Sequence, residues 1–469
     1  METVAHVGAL SLLPATVAIV LAFVTRNTVF SLAVACLVGV LAMGEGPRGL
    51  PDLLKRSLGT TSFSWILLLE LFIGVVIAFF QRTGAIRNFS AWVERRSLTR
   101  VRVQLVAWAL GMLVFFSDYF SPLFVGSTMR GLSDRFRISR EKLAYIADST
   151  SAPVSVLVPL TGWAVYIAGL LIGMGPVADA EVAMLAFARS IPYNFYAWFA
   201  VIMVGLIALR VIPEFGPMAV AERRAIEEGK VLRDGAVPLM GEELTDIEPY
   251  PGVRTHLFWN FFLLVFIVIA VGLGSFLLIR SALTMEAFML AAVVGGIVMR
   301  LQGIPLPDIM ATAIAGMKGV MPAIIILAFA YALNDLSKAM GTAHYIVELT
   351  RGWLTPGLLP ALTFAIAAVI SFSTGTSWGT FAIMMPLAVP LAFSFSAGEL
   401  STVVFATIGA VCGGGVFGDH CSPLSDTTIL ASTGAASDHI DHVRTQLPYA
   451  LCAAGATLAC YLLLGAFAN

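Results

Sequence analysis

Long apolar stretches recur from one end of the chain to the other, with short polar segments between them. Stretches of about 20 apolar residues have the length that an α-helix needs to cross the hydrocarbon core of a membrane. Helices are predicted at 7–24, 29–44, 62–80, 101–129, 146–173, 194–212, 255–279, 284–300, 319–337, 357–397, 400–433 and 447–467. The pattern indicates an all-α polytopic membrane protein with about 10–12 membrane segments, hairpins included.

Two of these segments are too long, or too polar in the middle, to form one straight span. The first, 101–129, is interrupted by FFSDYFSP at 115–122, and the second, 357–397, is interrupted by SFSTGTSWGT at 371–380. Lipid tolerates polar, irregular backbone only where it is buried in protein or lines a wet cavity. Each interruption therefore predicts a helical hairpin that enters and leaves the membrane on the same side.

The stretch 411–435 is the most unusual part of the apolar C-terminal region. Its sequence, VCGGGVFGDHCSPLSDTTILASTGA, places three consecutive glycines, two aspartates, a histidine and a Ser-Pro pair within the length of one membrane crossing. A carboxylate at the centre of a membrane helix costs about 2.5–3.5 kcal/mol and marks an ion or substrate path. This stretch predicts a broken helix that contributes to a transport site.

The two halves of the chain resemble one unit used twice. The segment 147–163 aligns with 418–434 and places Asp148 opposite Asp419. A competing alignment matches FSDYFSPL with FGDHCSPL, but it pairs a hairpin with a broken helix, whereas the first alignment preserves helix order. Inverted repeats with discontinuous helices that meet near the midplane are a common way to build a secondary transporter.

These patterns divide the chain into a first inverted repeat at 1–212, a cytoplasmic linker at 213–254 and a second inverted repeat at 255–469. Each repeat is expected to contain three helices, a re-entrant hairpin, a broken helix and a final helix. Basic residues flank the first hairpin on both sides, among them Arg87, Arg100, Arg135 and Lys142. Because basic flanks stay in the cytoplasm, this arrangement predicts a multi-pass cell-membrane protein with external N- and C-termini.

Composition narrows the functional classes. Of the 469 residues, 58% are hydrophobic and 12% charged, and the formal net charge of −1 argues against a nucleic-acid partner. The five cysteines lie in apolar segments without metal-ligand spacing, so neither a disulfide framework nor a zinc site is expected. No Lys or Arg precedes the first apolar segment, which is therefore interpreted as a membrane helix rather than a signal peptide.

Two long motifs resemble the signature of the NhaC-type sodium/proton antiporter family. They are GDHCSPLSDTTILASTGAASDHIDHVRTQLPYAL at 418–451 and DYFSPLFVGSTMRGLSDRFRISREKLAYIADSTSAP at 118–153. The resemblance covers both halves and implies membership of the ion transporter superfamily, an inverted-repeat elevator-like architecture, a homodimer and exchange of Na+ for H+. The chain has Ser117-Asp118 where the family pattern has two acidic residues, which leaves the stoichiometry open. Other members exchange organic acids or move amino acids.

An antiporter needs a site that holds a sodium ion or a proton but never both. A carboxylate in a restricted cavity meets this need, and hydroxyl and carbonyl oxygens complete the ligand set of a hard cation. The candidate ion- and proton-binding residues are Asp118, Asp148, Asp419, Asp426, Ser149, Thr150, Ser151, Ser422, Ser425, Thr427, Thr428 and His420. Sodium is expected in a cavity shared by Asp148 and Asp419, the two residues that the repeats make equivalent.

The hairpin tips are candidate contacts for an ion or a substrate. These residues are Ser121 in the first hairpin and Ser373, Thr374, Gly375, Thr376 and Ser377 in the second. Exposed N–H groups at such a tip suit an anionic group, although glycine and threonine also serve simply to turn a hairpin. Structural alternatives exist for the other candidates too. An aspartate can cap a half-helix, a hydroxyl can bond its own helix, and His420 can stay neutral beside a neighbour.

Several charged residues lie outside this set. Glu70 is a secondary candidate that could instead pair with a basic group on a neighbouring helix. Arg130 and Lys142 are explained by topology and anionic lipid. The cluster DHIDHVR at 438–444 is interpreted as a solvated cytoplasmic cap in preference to a metal or sensor patch.

The sequence thus favours a secondary transporter that exchanges Na+ for H+. The alternative is a sodium- or proton-coupled transporter of a small organic acid or amino acid. A channel or a membrane scaffold is disfavoured, because inverted repeats with hairpins supply alternating access. The chain has neither a P-loop nor a redox motif, so no enzymatic activity and no cofactor are expected, and its partners are the lipid bilayer and the transported ions.

Overall fold

The apolar stretches fold as α-helices in the computed structural model, which describes residues 6–467 except 26, 47, 95–98, 116–117, 160, 240–246, 280–282, 343–344, 346–347 and 349–354. The helices of the described residues are α1 (Leu13–Thr25), α2 (Thr28–Ala42), α3 (Gly49–Leu58), α4 (Thr61–Arg82), α5 (Ala85–Glu94), α6 (Arg100–Leu113), α7 (Phe120–Arg135), α8 (Arg140–Ser149), α9 (Ala152–Ser155), α10 (Gly162–Leu171), α11 (Ala180–Ser190), α12 (Phe195–Ala208), α13 (Gly216–Glu227), α14 (Leu263–Ile279), α15 (Thr284–Leu301), α16 (Leu306–Gly319), α17 (Met321–Ala339), α18 (Leu359–Thr374), α19 (Ser377–Phe395), α20 (Thr402–Cys421), α21 (Asp426–Ala435) and α22 (His439–Phe467). These described residues form no β-strand, so the all-α fold class is confirmed.

Side-chain caps fix where many of these helices begin. The hydroxyl of Thr60 accepts a hydrogen bond from Phe63 N at 3.2 Å before α4, and that of Ser139 accepts one from Lys142 N at 3.2 Å before α8. Each cap satisfies a backbone N–H that has no partner within its own helix. Helix starts are therefore encoded locally, even in stretches that are apolar throughout.

Helices of membrane-spanning length are present, as the hydropathy pattern predicts. Among the described residues, four are long and apolar enough by length and composition, and the number rises to six if each of two bent pairs counts as one span. The bent pairs are Ala180–Tyr193 with Phe195–Ala208, bent by 50°, and Leu306–Gly319 with Ile324–Ala339, bent by 42°. Several other predicted segments form apolar helices of 10–17 residues. The orientation of the two termini remains a prediction.

Both predicted hairpins are helix pairs joined by short turns. In the first, α6 and α7 pack against each other, and in the second α18 and α19 do so. The second turn depends on Gly375, whose φ of +70° is a left-handed conformation that favours glycine. Thr376 then caps α19 by accepting a hydrogen bond from Gly379 N at 3.4 Å.

Two helices are interrupted at the predicted places. The first broken helix consists of α8 and the short α9, which are separated at residues 150–151. The second consists of α20 and α21, which are separated at residues 422–425. Both breaks leave backbone groups without helical partners, so their position decides where polar chemistry is available in an apolar protein.

The described residues form two hydrophobic cores, and each broken helix passes from one core to the other at its break. Residues of α8 belong to the first core, while Ala152 and Val156 after the break belong to the second. The second broken helix runs the opposite way, since α20 packs in the second core and α21 in the first. This reciprocal crossing agrees with an inverted repeat, although the division at 1–212 and 255–469 remains a prediction.

The predicted linker is not an extended loop, because α13 lies within it. Glu222 of α13 accepts a hydrogen bond from Ser139 N at 2.8 Å and pairs with Arg100 of α6. Further along, Arg233 pairs with Asp441 of α22 at 2.7 Å. The described linker residues therefore bind both halves of the chain.

Close backbone packing joins the first hairpin to the second broken helix. A Cβ atom added to Gly126 of α7 would lie 2.4 Å from the carbonyl carbon of Gly434 in α21. We expect Gly126→Ala to lower stability by about 1–3 kcal/mol, because overpacking against backbone cannot be relieved by a rotamer change. Thermal unfolding of the purified protein in detergent measures the change.

Gly131→Ala in the same helix is the matched control, since a Cβ there meets no atom within 4 Å. This variant should be neutral or more stable, because alanine favours a helix by about 1 kcal/mol over glycine. Equal melting temperatures for Gly126→Ala and the wild type would contradict the packing that the structure shows.

Candidate cation site at the two helix breaks

The tip of the second hairpin docks onto the break of the second broken helix. Ser422, the first residue after α20, donates a hydrogen bond from its hydroxyl to Phe372 O at 2.7 Å. A Cβ on Gly375 at the tip would lie 2.4 Å from Leu424 O within the break. The hairpin tip therefore reaches the interrupted backbone directly, which places its hydroxyl groups beside the last turn of α20.

Asp419 lies in that last turn and is 2% exposed. Its carboxylate accepts a hydrogen bond from the hydroxyl of Ser377 on the hairpin and another from Ser425 Oγ at 3.2 Å. Its backbone carbonyl accepts hydrogen bonds from the hydroxyls of Thr427 at 3.1 Å and Thr428 at 2.6 Å. Two hydroxyls thus contact the buried carboxylate of Asp419, and two more contact its backbone carbonyl.

Asp426 and Asp118 add negative charge beside this carboxylate. Asp426 Oδ2 accepts a hydrogen bond from the Tyr119 hydroxyl at 2.9 Å, which joins the first hairpin to the start of α21. The charges of Asp426 and Asp118 both act on Asp419. Asp118 is 5% exposed, and its Oδ2 has no hydrogen-bond partner among the described residues. Three acidic groups therefore share one region between the first hairpin and the second broken helix.

Asp148 occupies a separate position, close to the start of α22. Its Oδ2 accepts a hydrogen bond from Gln446 Nε2 at 2.8 Å and lies 3.3 Å from His442 Nε2. All three side chains are fully buried. The interpretation of 438–444 as a solvated cap is wrong for most of this cluster, because α22 begins inside the protein and directs His442 at Asp148. Arg444 alone is exposed in that cluster.

The ends of α8 and α20 meet through His420. Its Nε2 lies 2.7 Å from Ser149 Oγ, and its Nδ1 lies 2.8 Å from the Tyr196 hydroxyl. Since one ring nitrogen of a neutral imidazole donates and the other accepts, both contacts fit a neutral ring. No contact between Asp148 and Asp419 is found in the described part of the chain, and His420 connects the helix ends that carry them. A sodium site shared by the two residues remains a prediction.

The structure separates the candidate hydroxyls into two groups. Thr150 and Ser151 donate to the carbonyls of Ile146 at 2.8 Å and Asp148 at 2.6 Å within their own helix. In the second hairpin, the hydroxyls of Ser373 and Thr374 likewise bond carbonyls of α18. These four groups satisfy local backbone, as Ser and Thr commonly do in helices. The hydroxyls of Ser149, Ser377, Ser422, Ser425, Thr427 and Thr428 reach beyond their own turn.

The capping alternative does not apply to Asp148 or Asp419, because each lies in the last turn of a half-helix rather than before the first. It does apply in part to Asp426, the first residue of α21, whose Oδ1 accepts from Thr427 N at 2.8 Å. Asp148 and Asp419 thus occupy matching places relative to their breaks, as the repeat alignment predicts.

The first hairpin approaches the first break in a similar way. A Cβ on Gly111 of α6 would lie 1.9 Å from Thr150 Oγ1. Ser121 Oγ lies 3.4 Å from Thr150 O and 3.5 Å from Gly111 O. Ser117, the position where the family pattern has a second acidic residue, lies outside the described residues.

Several residues of the site carry weak sequence signals. His442 and Gln446 stand one turn apart, and the spacing from His439 through Gln446 along one helix face could have indicated a buried polar stripe.

The explanation of Lys142 by topology and anionic lipid is wrong. Its side chain is fully buried and its Nζ lies 2.8 Å from Glu214 Oε1.

The donor set suits a monovalent cation held mainly by neutral oxygens. Among the described residues, no three His, Cys, Asp or Glu side chains are grouped as a metal centre would require. Asp419 nevertheless has hydroxyls from both the hairpin and the break around it, and hard cations favour such oxygen ligands. The 3.3 Å contact of Asp148 with His442 is the one contact with a histidine, lysine or arginine within 4.0 Å that is found for the four candidate aspartates in the described chain.

Comparison with known proteins agrees with this arrangement. Residues 163–466, which contain the second hairpin, the second broken helix and α22, match the model of the Na+/H+ antiporter family. The chain belongs to this Na+/H+ antiporter family. The predicted family is confirmed, with the motif at 418–451 inside the matched region, and this member of the antiporter family is a multi-pass membrane transporter.

The relatives of this antiporter-family member carry names that state different transport activities or none. An uncharacterized protein of Haemophilus influenzae is 33% identical over 97% of this chain and 90% of its own. An uncharacterized Na+/H+ antiporter of the same organism is 36% identical, but over 26% of this chain and 25% of its own. The malate-2H+/Na+-lactate antiporter of Bacillus subtilis is 30% identical over 30% of this chain and 29% of its own.

The polar contacts of Asp148 give a prediction about stability. Gln446→Leu removes the amide that donates to Asp148 Oδ2, so we expect a loss of about 1–3 kcal/mol, the usual cost of leaving a buried polar group unsatisfied. Thermal unfolding in detergent measures it. Thr457→Val in the same helix is the control, because that buried hydroxyl bonds only its own helix carbonyl, Ala453 O, at 2.7 Å. Equal effects of the two substitutions would show that Gln446 does not support Asp148.

Proposed function

We propose that this protein exchanges Na+ for H+ across the cell membrane, with Asp419 as the principal cation-binding carboxylate. The observation that carries the proposal is the environment of Asp419: a buried carboxylate at a helix break, surrounded by hydroxyls and without a basic partner among the described residues. A buried carboxylate without a compensating charge binds a proton or a cation. The two occupants exclude each other at one group, which is the requirement for exchange.

The hydroxyls around Asp419 can interact favourably with either occupant, the sodium ion or the proton. Ser377 and Ser425 donate to the carboxylate when no ion is present. A hydroxyl oxygen has two lone pairs, so after a rotation of its O–H bond it can offer them to a sodium ion. When Asp419 is protonated, the same hydroxyls can accept from the carboxylic acid. The site therefore changes its hydrogen bonding rather than its backbone as its occupant changes.

The contact between the second hairpin and the second helix break can link binding of an ion at Asp419 to movement of these elements. Ser377 belongs to the second hairpin, whereas Ser425 and Asp419 belong to the second broken helix, and Asp426 bonds Tyr119 of the first hairpin. An ion bound here contacts elements of both halves. Transport by alternating access requires that an occupied site and an empty site favour different arrangements of such elements.

We assign Asp148 a supporting role in the same exchange. Its carboxylate has a histidine and an amide as neighbours, in contrast to the hydroxyls and acidic groups near Asp419. Through Ser149 and His420 it is connected to the last turn of α20. Loss of its charge is expected to damage ion coupling, as the repeat symmetry predicts.

The second candidate function is coupled transport of a small organic acid or amino acid. The malate-2H+/Na+-lactate antiporter of Bacillus subtilis, whose name includes organic acids beside ions, matches part of this chain. Under this candidate the carboxylates bind the coupling ion, and the uncharged tip at 373–377 contacts the organic substrate.

Transport by purified protein in proteoliposomes tests the proposal. An inwardly directed Na+ gradient with no organic solute should drive H+ efflux in the wild type. We expect Asp419→Asn to abolish this flux and Asp148→Asn to reduce it strongly, because an amide cannot exchange a cation for a proton. Internal pH reported by a trapped fluorescent dye measures the flux.

Asp52→Asn is the matched control, since Asp52 is an exposed residue of α3 that pairs only weakly with Lys55 at 3.4 Å. It should transport like the wild type. Absence of Na+-driven H+ flux in the wild type, together with Na+-dependent uptake of radiolabelled malate, lactate or an amino acid, would establish the second candidate instead. Full activity of Asp148→Asn would show that the repeat symmetry misassigns that residue.

A further inference from the structure

Glu70 is a buried carboxylate that the proposed exchange at Asp419 does not use. It lies in the middle of α4 and is 0% exposed. Neither carboxylate oxygen has a hydrogen-bond partner among the described residues. The sequence left open a basic partner on a neighbouring helix, but no ion pair of Glu70 is found within the described chain. A group of this kind is costly to bury unless something outside the protein chain compensates it.

Contacts on either side of Glu70 show which elements it faces. Seven residues earlier in α4, the ring of Phe63 packs on Tyr331 of α17 with centroids 5.6 Å apart. One turn after Glu70, Gly74 packs closely on Gly316 of α16. The chain of α16 and α17 therefore runs antiparallel to α4, and Glu70 lies opposite the junction between them.

The same part of α4 also meets the acidic groups of the site. The ring of Trp65 packs on Tyr119 with centroids 5.8 Å apart, and the hydroxyl of Tyr119 donates to Asp426. Helix α17 in turn packs on α21, the helix that begins with Asp426. The negative charge of Asp426 acts on Glu70. Two independent contacts thus connect α4, which carries Glu70, with α21, which begins at Asp426: one passes through Trp65 and Tyr119, the other through α17.

We propose that Glu70 and Asp426 form a second monovalent-cation position, distinct from the position at Asp419, and that the protein binds two sodium ions in each transport cycle. This inference rests on the proposed exchange of Na+ for H+. Two carboxylates near each other repel when both are ionised, and a cation between them removes that repulsion. The hydroxyl of Tyr119, which lies 2.9 Å from Asp426 Oδ2, supplies a further oxygen.

The chemistry of this second position selects the kind of ligand. Its charged groups are both carboxylates, and its neutral group is a phenol oxygen, so a hard cation is favoured over an anion or a soft metal. No group of three His, Cys, Asp or Glu side chains that could hold a metal ion is found among the described residues. A pair of carboxylates with hydroxyl support suits Na+. Asp426 is half-buried, which leaves one side of the position accessible.

Equilibrium binding of Na+ to the purified protein tests the second position without any transport. We expect wild-type protein to bind about two Na+ per chain at saturation and Glu70→Gln about one, and a Hill coefficient above 1 requires more than one site. Scintillation proximity with 22Na+ in detergent measures binding. Glu399→Gln, a substitution of an exposed loop residue, should behave as the wild type. A coefficient and a total capacity unchanged by Glu70→Gln would overturn the proposal.

Melting temperatures with NaCl or choline chloride at equal ionic strength separate cation binding from a structural role. Because Glu70 is unpartnered without an ion, Glu70→Gln should match or exceed the wild type in choline chloride and should gain less from NaCl. An equal loss of stability in both salts would mean that Glu70 only supports the fold, and the proposal would fail.

The failures of this inference and of the proposed function are distinguishable. If wild-type protein shows no Na+-driven H+ flux, the proposed exchange is wrong. If the wild type exchanges ions and Glu70→Gln keeps the same Na+ capacity, only the second position is wrong. A charge-ratio measurement from the reversal potential should show one fewer Na+ per cycle in Glu70→Gln than in the wild type.

Discussion

Every feature of this site depends on satisfying interrupted backbone inside an apolar protein. A broken helix leaves N–H and C=O groups without partners, and no water is available in hydrocarbon to bond them. The chain solves the problem with hairpin tips: Ser422 bonds Phe372 O across the second break, and Ser121 lies against Thr150 O at the first. The same hairpin tip and helix break carry Ser377 and Ser425, whose hydroxyls donate to the carboxylate of Asp419. Backbone contacts and the candidate cation site therefore lie on the same short segments.

Small residues make this arrangement possible, because a hairpin tip can bond a helix break only if the backbones approach closely. The glycine run of α20 serves this purpose: a Cβ on Gly414 would lie 2.6 Å from Ala367 Cβ, and one on Gly418 would lie 2.2 Å from Ser371 Oγ. The run packs α20 tightly on α18 rather than loosening it. This close packing of hairpin and broken helix places Ser377 within hydrogen-bond distance of Asp419.

The sequence predicts this architecture well where a strong local pattern exists. Polar interruptions within apolar stretches correctly indicate both hairpins and both breaks, and the hydroxyl cluster beside Asp419 is identified in advance. Local pattern does not reveal which side chains meet across the fold. His442 is interpreted as part of a solvated cap, because the local pattern gives at most a weak sign that the start of α22 is buried. Lys142 is explained by topology and lipid for the same reason, since its partner Glu214 is 72 residues away in sequence.

The linker adds a constraint on motion. Its described residues bind α6 and α8 through Glu222 and Arg224 and bind α22 through Arg233, while Val237 N donates to Asp438 at 2.9 Å. Separating a buried ion pair costs about 3–5 kcal/mol when one partner is left behind. The described linker residues therefore hold helices of both halves by hydrogen bonds and ion pairs. A displacement of one half relative to the other at this place would require these bonds to break.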